Sequence, residues 1–432
     1  MYLILAKNTS NMLVINKELN NNNITTDMVP APPESGTVCA IAIKIDRQDL
    51  EKSERLIQGI GIFDYDIFVD KKFKLQKLID KKMGGIVSSE FVNIFKKLEL
   101  GEDLERSDIV YLLKTNNPKE EELLFKAADK TRKEMVGDYV EIRGAIEFSN
   151  YCKKSCKYCG INKTNRDVFR YRMSEDEICS VAKELHDIGI KTLILQSGED
   201  ESWGTDRVSD LVKRIKKQYG LRITLSVGEK TFEEYKILKQ AGADNFLLKI
   251  ETTNREIFKN IHPDDDFDYR LQCSKWLKEL GYINGSGNII GLPGQKEEDI
   301  ANDILFFKDM GINMIGIGPF IPAKGSAFCD LPVGSIKTTL RAVAVTRLVC
   351  KKVYIPSTTA LASLDKDAQV MALKAGANTI MLINTPIMYR RKYKIYDNKN
   401  MVDMESAIYA VKKAGRKMPK YLKNIENVYG EG

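Results

Sequence analysis

The chain has 432 residues, 43% of them apolar, with a formal net charge of +7 and eight cysteines. That length suits one large domain with an appendage, and no apolar run is long enough to span a bilayer. The lysines and arginines scatter through amphipathic helices and read as a solvated surface. No basic block interleaved with aromatics is read here, so nucleic acid is not an expected partner. The opening MYLILAKNTSNM lacks a charged lead and a small-residue cleavage site, so it is read as a first strand, not a leader. The expected location is the cytoplasm. A tight group of three cysteines in a long chain favours metal or redox chemistry over disulfides.

Residues 1–70 read as a small α+β unit. Strand MYLILA precedes a helix over 8–20, strands ITTDMVPA and CAIAIKID, a helix over 49–58 and strand IFDYDIFVD. Residues 71–87 form a charged link. Residues 88–138 are a helical lead-in of two helices. The first carries the apolar stripe Phe91, Ile94, Phe95 and Leu98; the second runs from Asn117 and Pro118, at N-cap and N1, to a stop at Gly137.

From 139 to 400 short apolar strands alternate with helices. The predicted strands are 140–148, 192–199, 222–229, 246–252, 285–294, 314–322, 354–362 and 379–384. Ser174 with Glu177, and Thr231 with Glu234, fit capping boxes. Gly189, Gly242, Gly281, Gly311 and Gly376 mark helix ends. Eight such units predict a (β/α)8 TIM-type barrel of parallel strands with right-handed crossovers. Residues 401–432 are expected to be a helical tail.

Directly after the first barrel strand comes FSNYCKKSCKYCGIN, with Cys152, Cys156 and Cys159 at CxxxCxxC spacing. That places three thiols at the C-terminal mouth, where barrel active sites are built. Three thiolates fit three corners of a [4Fe–4S] cluster and leave one iron open for a ligand. Structural zinc with three cysteines and a histidine is the alternative. The two histidines, His186 and His262, have no local ligand spacing to the loop, and neither is given a role. Cys179, Cys273 and Cys350 sit in apolar-periodic helices and read as buried small hydrophobes; Cys329 lies in a loop.

The CxxxCxxC loop after a first barrel strand, with Tyr158 just before the last cysteine, resembles the radical S-adenosylmethionine (SAM) superfamily. The resemblance implies a [4Fe–4S] cluster whose open iron holds SAM, cleaved by one electron to an adenosyl radical. It also implies roles at successive strand ends. Gln196, Ser197 and Glu199 form the polar turn that meets the SAM amino group. Ser226 and Glu251 face the same mouth, Arg270 offers its guanidinium fork to the SAM carboxylate, and GNIIGLPGQ with Leu292 and GIGPFIP form adenine-contacting walls.

The segments IEFSNYCKKSCKYCG, LILQSGED, AGADNFLLKIET, GLPGQKEEDI, GIGPFIP, IPSTTAL and LKAGANTIM are similar, in this order, to the HydE family of [FeFe]-hydrogenase maturases. This implies assembly of the hydrogenase diiron subcluster. The radical would act on sulfur of a cysteine-bound iron carbonyl–cyanide complex, with HydG-like and HydF-like maturases and a low-potential ferredoxin or flavodoxin as partners. By resemblance, Lys249, Thr358 and Thr359 face the substrate. Two features depart from the family. Lys249-Ile-Glu-Thr252 stands where Arg-His-Glu-Thr is usual, and Asn245 where an arginine is familiar, so a substrate carboxylate loses planar forks. No cysteine follows Cys350, so a single cluster is expected. The alternatives are another biotin-synthase-like enzyme, such as a methylornithine-synthase-like mutase or a sulfur-handling enzyme, and a non-catalytic iron–sulfur carrier. The stretch MVPAPPESGTVCAIAI, with Cys39, resembles a putative selenium/sulfur-carrier-like domain; Cys39 itself reads first as a buried cysteine opening a core strand, and for the fused unit sulfur or selenium handling and simple docking both stay open.

Overall fold

A computed structural model describes residues 1–36, 41–70, 74–79 and 85–422; Cys39 lies outside the described residues. The first unit runs β1 (Tyr2–Ala6), helix Thr9–Asn21, β2 (Asp27–Pro30), β3 (Ile41–Ile45), helix Leu50–Gly59 and β4 (Tyr65–Val69). The sheet is antiparallel in the order β2-β3-β1-β4, the split β-α-β arrangement. Strand alternation gives it two apolar faces. Ile4, Ala6, Ile43 and Ile45 pack on Met12, Ile15, Leu19 and Ile57 of the helices, while Leu3, Leu5 and Ala42 cluster on the other side.

This unit sits on the floor of the barrel. Ile41 and Met28 join Ile283, Met314 and Tyr354 in one apolar cluster. The Asn313 side-chain amide donates to the Met28 carbonyl at 2.5 Å, and Lys352 pairs with Asp70. These residues mark the N-terminal ends of the barrel strands, so the unit lies opposite the mouth.

Eight parallel strands form the barrel: β5 (Glu141–Ser149), β6 (Thr192–Ser197), β7 (Arg222–Ser226), β8 (Asn245–Leu247), β9 (Ile283–Ile290), β10 (Met314–Pro319), β11 (Pro356–Ser357) and β12 (Thr379–Ile383). Their order is β10-β9-β8-β7-β6-β5-β12-β11, and a bridge from Met314 to Tyr354 joins the two ends. All eight predicted strands are present; most stop short of the predicted C-terminal end, β8 and β11 by the most. After Leu247 the chain leaves regular pairing; Glu251 takes φ +60° and bridges to Asn288, a local irregularity that re-aims side chains. After Ser357, Thr358 becomes the N-cap of the helix Thr359–Leu364, accepting from Leu361 N.

Both predicted capping boxes form, and the five stop glycines all have positive φ. The lead-in contains three helices, not two: Ser89–Leu100, Arg106–Lys114 and Pro118–Val136. The middle one is capped by Glu105 paired reciprocally with Asp108, an unusual capping residue that hides it in the sequence. Within the link, Leu75 and Ile79 are buried in the main core. The helix Met404–Lys413, read in the sequence as a tail, buries Ala407, Ala410 and Val411 in that same core and touches β12. It therefore completes the outer helical ring.

Candidate functional site

The loop after β5 has little secondary structure and is held by side chains instead. Asn150, fully buried, donates to the carbonyls of Phe169 and Lys392, both at 2.9 Å, and accepts from Tyr171 N at 2.8 Å. The Arg170 guanidinium gathers four carbonyls: Asn150 at 2.5 Å, Ile161 at 2.7 Å, Asn162 at 2.6 Å and Asn165 at 3.2 Å. Such satisfaction of backbone groups lets an irregular loop remain ordered. Underneath, Ser155 N and Oγ donate to Asp264 at 2.6 and 2.7 Å, and Lys157 N donates to the Ile261 carbonyl at 3.0 Å. Gly198 passes so close that a Cβ on it would lie 2.8 Å from Cys152 Cβ.

Cys152, Cys156 and Cys159 are free and half-buried. Burial pushes all three thiols up, Cys159 to about 12, and the neighbouring sulfurs add to the effect on Cys156 and Cys159. Thiols raised in this way ionise readily only when a metal replaces the proton. Among the described residues, the group whose ligand atoms all lie within 4.8 Å of one another is Cys156, His262 and Asp265, not the three cysteines. Sulfurs of a tetrahedral zinc site sit about 3.8 Å apart at Zn–S lengths near 2.3 Å. The wider cysteine set suits the corners of a cluster, and its all-thiol chemistry fits iron and sulfide. Asp265 is already engaged by Arg270 at 2.8 Å and by Lys154, which weakens the zinc alternative further.

Beside the loop lies an ionic network invisible in the sequence because its members are far apart in the chain. Lys154 reaches Asp265, Glu229 at 3.4 Å and Glu199 at 3.9 Å. Burial and the carboxylates of Glu229 and Asp265 raise the Glu199 carboxyl, with Lys154 opposing. Burial also works against ionisation of Asp265, yet the hydrogen bond from His262 and the charge of Arg270 hold it well below the usual carboxylate range. His262 was given no role from sequence. It sits with Nδ1 3.2 Å from both Cys156 Sγ and Asp265 Oδ2, and burial pushes its imidazole pKa down, with Asp265 opposing.

The remaining sequence candidates ring the mouth. Gln196 and Ser226 are paired across β6 and β7. Ser197 Oγ donates to the Gly198 carbonyl at 2.7 Å. The Glu199 side chain occupies space that a Cβ on Gly228 would fill. Glu251 pairs with Lys249 at 2.8 Å and lies 3.4 Å from Tyr158 OH. Leu292 packs with Ile257, Ile261, Ile289, Phe320 and the Tyr158 ring in one apolar cluster. Arg270 differs from its expected use. Its guanidinium is buried and donates to Glu229 at 2.6 Å, Asp265 at 2.8 Å and the Lys249 carbonyl at 2.7 Å. The fork is occupied within the protein, where it fixes the backbone that carries Lys249.

Inside the barrel, Lys249 Cε lies 2.7 Å from where a Gly287 Cβ would be and 3.9 Å from that of Gly316. Thr358 Oγ1 lies 3.5 Å from the corresponding point of Gly318. Glycines on β9 and β10 thus open one wall of the lumen to both side chains. Thr359, by contrast, is buried and hydrogen-bonded to Tyr396 OH at 2.8 Å. Asn245 donates to Thr224 Oγ1 at 2.9 Å, far below the mouth. Residues 392–399 border the opening: Gly160 N donates to the Ile395 carbonyl at 3.0 Å, and Lys399 pairs with buried Glu147.

Known proteins share this architecture. The model for the Radical SAM superfamily matches residues 146–307. Those for the Biotin and Thiamin Synthesis associated domain and the Putative Se/S carrier protein-like family match 317–416 and 1–68. The [FeFe] hydrogenase maturase subunit HydE of Thermotoga maritima is 43% identical over 306 residues, covering 71% of this chain and 87% of the relative. The 3-methylornithine synthase of Methanosarcina acetivorans is 30% identical over 290 residues, covering 67% and 82%. The crystal structure of methylornithine synthase has a TM-score of 0.68 at 26% identity, covering 77% of this chain and 98% of its own. HydG shares the fold, with a TM-score of 0.62 at 23% identity and 70% coverage of each chain.

A three-cysteine loop at the mouth of such a barrel defines a radical SAM enzyme, whose cofactors are a [4Fe–4S] cluster and SAM. Within that superfamily, the chain belongs to the HydE family of [FeFe]-hydrogenase maturases.

Proposed function

We propose that the enzyme acts on a small cysteine-bearing iron carbonyl–cyanide complex during construction of the hydrogenase diiron subcluster. The observation that supports this best is the glycine-opened lumen wall on which Lys249 and Thr358 converge, beneath the cysteine loop. Cys152, Cys156 and Cys159 would hold the cluster. Tyr158, Gln196, Ser197, Glu199, Ser226, Glu251 and Leu292 would border SAM. When bound, the pair supplies an adenosyl radical by one-electron cleavage of the sulfonium.

The chain's own work is positional. Arg270 and Glu229 fix the backbone at Lys249. Lys249, a single ammonium half-exposed to the lumen and paired with Glu251, offers a substrate carboxylate a point charge, not a planar fork. The segment 392–399 borders the opening on the side of β5, β10 and β11. HydG-like and HydF-like maturases fit as suppliers and acceptors, with a low-potential ferredoxin or flavodoxin as electron source, and the cytoplasm is the proposed location. No helix among the described residues is long and apolar enough to cross a membrane.

The test is anaerobic incubation of the reconstituted enzyme with SAM, dithionite and a synthetic cysteine-bound iron carbonyl–cyanide complex. Mass spectrometry should find an adenosyl–cysteine adduct that requires the complex. Formation of 5′-deoxyadenosine alone, unaffected by the complex, would overturn this substrate and favour a mutase like the methylornithine synthase it resembles.

A further inference from the structure

The positive charge is not evenly spread, contrary to the reading from sequence. Residues 161–172 and 387–394 carry eight cations and one carboxylate, Asp167. These twenty residues hold the same net charge as the entire chain, +7. The fold brings the two stretches together. Asn150 bonds the carbonyls of both Phe169 and Lys392, and the Lys392 ammonium lies 4.1 Å over the Phe169 ring and 5.8 Å from that of Tyr389.

The same two stretches leave large apolar side chains in water: Phe169 at 68% exposure, Ile387 at 67% and Met388 at 59%. Arg166, Arg391 and Lys394 of these stretches are exposed as well. Arg170 and Arg172 are occupied internally, the latter by Asp200 at 2.6 Å, and Lys163 pairs with Asp264 at 3.0 Å. Exposed apolar side chains and exposed cations on one face are what a charge-steered protein interface needs. The patch also touches the cysteine loop at both ends, through Asn150 before Cys152 and through Gly160 after Cys159, which bonds the Ile395 carbonyl.

Resting on the radical SAM reading above, we infer that this face docks a small acidic one-electron carrier protein. A carrier docked there would give up one electron to the cluster that Cys152, Cys156 and Cys159 would hold, with no proton moved and no bond formed between the partners. The sequence YRRKYK also interleaves cations with aromatics, as nucleic-acid sites do. Here, however, Tyr393 is buried and one face of Tyr389 is stacked on Tyr171 at 4.8 Å, so Phe169 is the one fully exposed ring of the two stretches and they present no row of stacking platforms. A transient, charge-steered interface fits an exchange that must release its partner after each electron.

The test uses cluster-loaded full-length enzyme and a fluorescently labelled acidic flavodoxin. Binding is read by anisotropy at low and high salt, and 5′-deoxyadenosine is measured with reduced flavodoxin and, separately, with dithionite. The double variant Arg166→Glu/Arg391→Glu should bind flavodoxin at least about tenfold more weakly at low salt, with added salt narrowing the difference. Flavodoxin-driven product should fall in proportion, while dithionite-driven product stays within about twofold. Phe169→Ser should weaken binding at both salt concentrations. Unchanged flavodoxin binding in these variants would overturn the proposal. So would an equal loss with dithionite, or an RNA oligonucleotide that binds the wild type more tightly than flavodoxin does. No product from wild type with dithionite would instead remove the radical SAM reading, while flavodoxin binding still reported on the surface by itself.

Discussion

Gly198 is the point at which a single added methyl group should separate folding from cluster assembly. It is absent from the positive-φ glycines, so its requirement is space, not backbone conformation. A Cβ there would lie 2.8 Å from Cys152 Cβ and 3.0 Å from the Tyr151 carbonyl carbon, and nearer still to that carbonyl's oxygen. Ordinary contact begins at 3.4 Å, and the carbonyl oxygen sets the limit, so the strand end and the cysteine loop must part by roughly 1.2 Å. Overpacking of this kind costs about 1–3 kcal/mol, which a large barrel survives. The cluster's geometry is less forgiving, because sites held to about 0.5 Å lose function when their supports move. Gly198→Ala should therefore melt within several degrees of wild type by circular dichroism. It should hold substantially less iron and sulfide per chain after anaerobic reconstitution. A variant with full cluster content and wild-type SAM cleavage would refute the claim that this contact sets the loop.

Three further outcomes follow from the same structure. Asp303 is buried, and burial pushes its carboxyl up to about 7 although Thr253 and Asn288 donate to it. Its folded value exceeds its unfolded one, so its contribution is complete below about pH 4 and is lost as pH rises towards 7, on the order of 4 kcal/mol. Asp303→Asn should flatten the fall in melting temperature across that window; identical pH profiles would contradict the assignment. Lys399 pairs with Glu147 where both side chains are nearly inaccessible. Lys399→Met leaves a buried, unpaired carboxylate and should lower stability by about 3–5 kcal/mol at neutral pH in denaturant titration, whereas a loss below 1 kcal/mol would show that water reaches the pair. Lys249→Arg restores a planar fork beside Glu251 and should retain or improve adduct formation with a carboxylate-bearing substrate; a large loss would mean the lumen is shaped around an ammonium.

The barrel was legible because strand and helix periods, capping boxes and stop glycines agreed at every level. The misreadings fall where tertiary contacts override local pattern. Predicted strand 246–252 ends early because regular pairing is interrupted after Leu247; Glu251, at φ +60°, keeps only an isolated bridge to Asn288. Predicted strand 354–362 gives way to a helix because Thr358 caps it. The helix Arg106–Lys114 was missed because its cap is a glutamate. In the site, CxxxCxxC announces itself within eight residues, but Lys154, Glu229, His262 and Asp265 meet across more than a hundred residues of chain. No local spacing could bring them together. The fork of Arg270 looked free in sequence for the same reason: Glu229, which engages it, lies forty-one residues earlier.

The most direct measurement is anaerobic and compares two proteins. Wild type and Cys156→Ala are reconstituted with iron and sulfide, mixed with SAM and dithionite, and assayed for 5′-deoxyadenosine and adenosyl adducts per chain. Wild type should cleave SAM, and Cys156→Ala should not, while both give the same far-UV circular dichroism spectrum. Equal SAM cleavage by a folded Cys156→Ala protein would contradict the assignment of the cysteine loop as the centre of the chemistry.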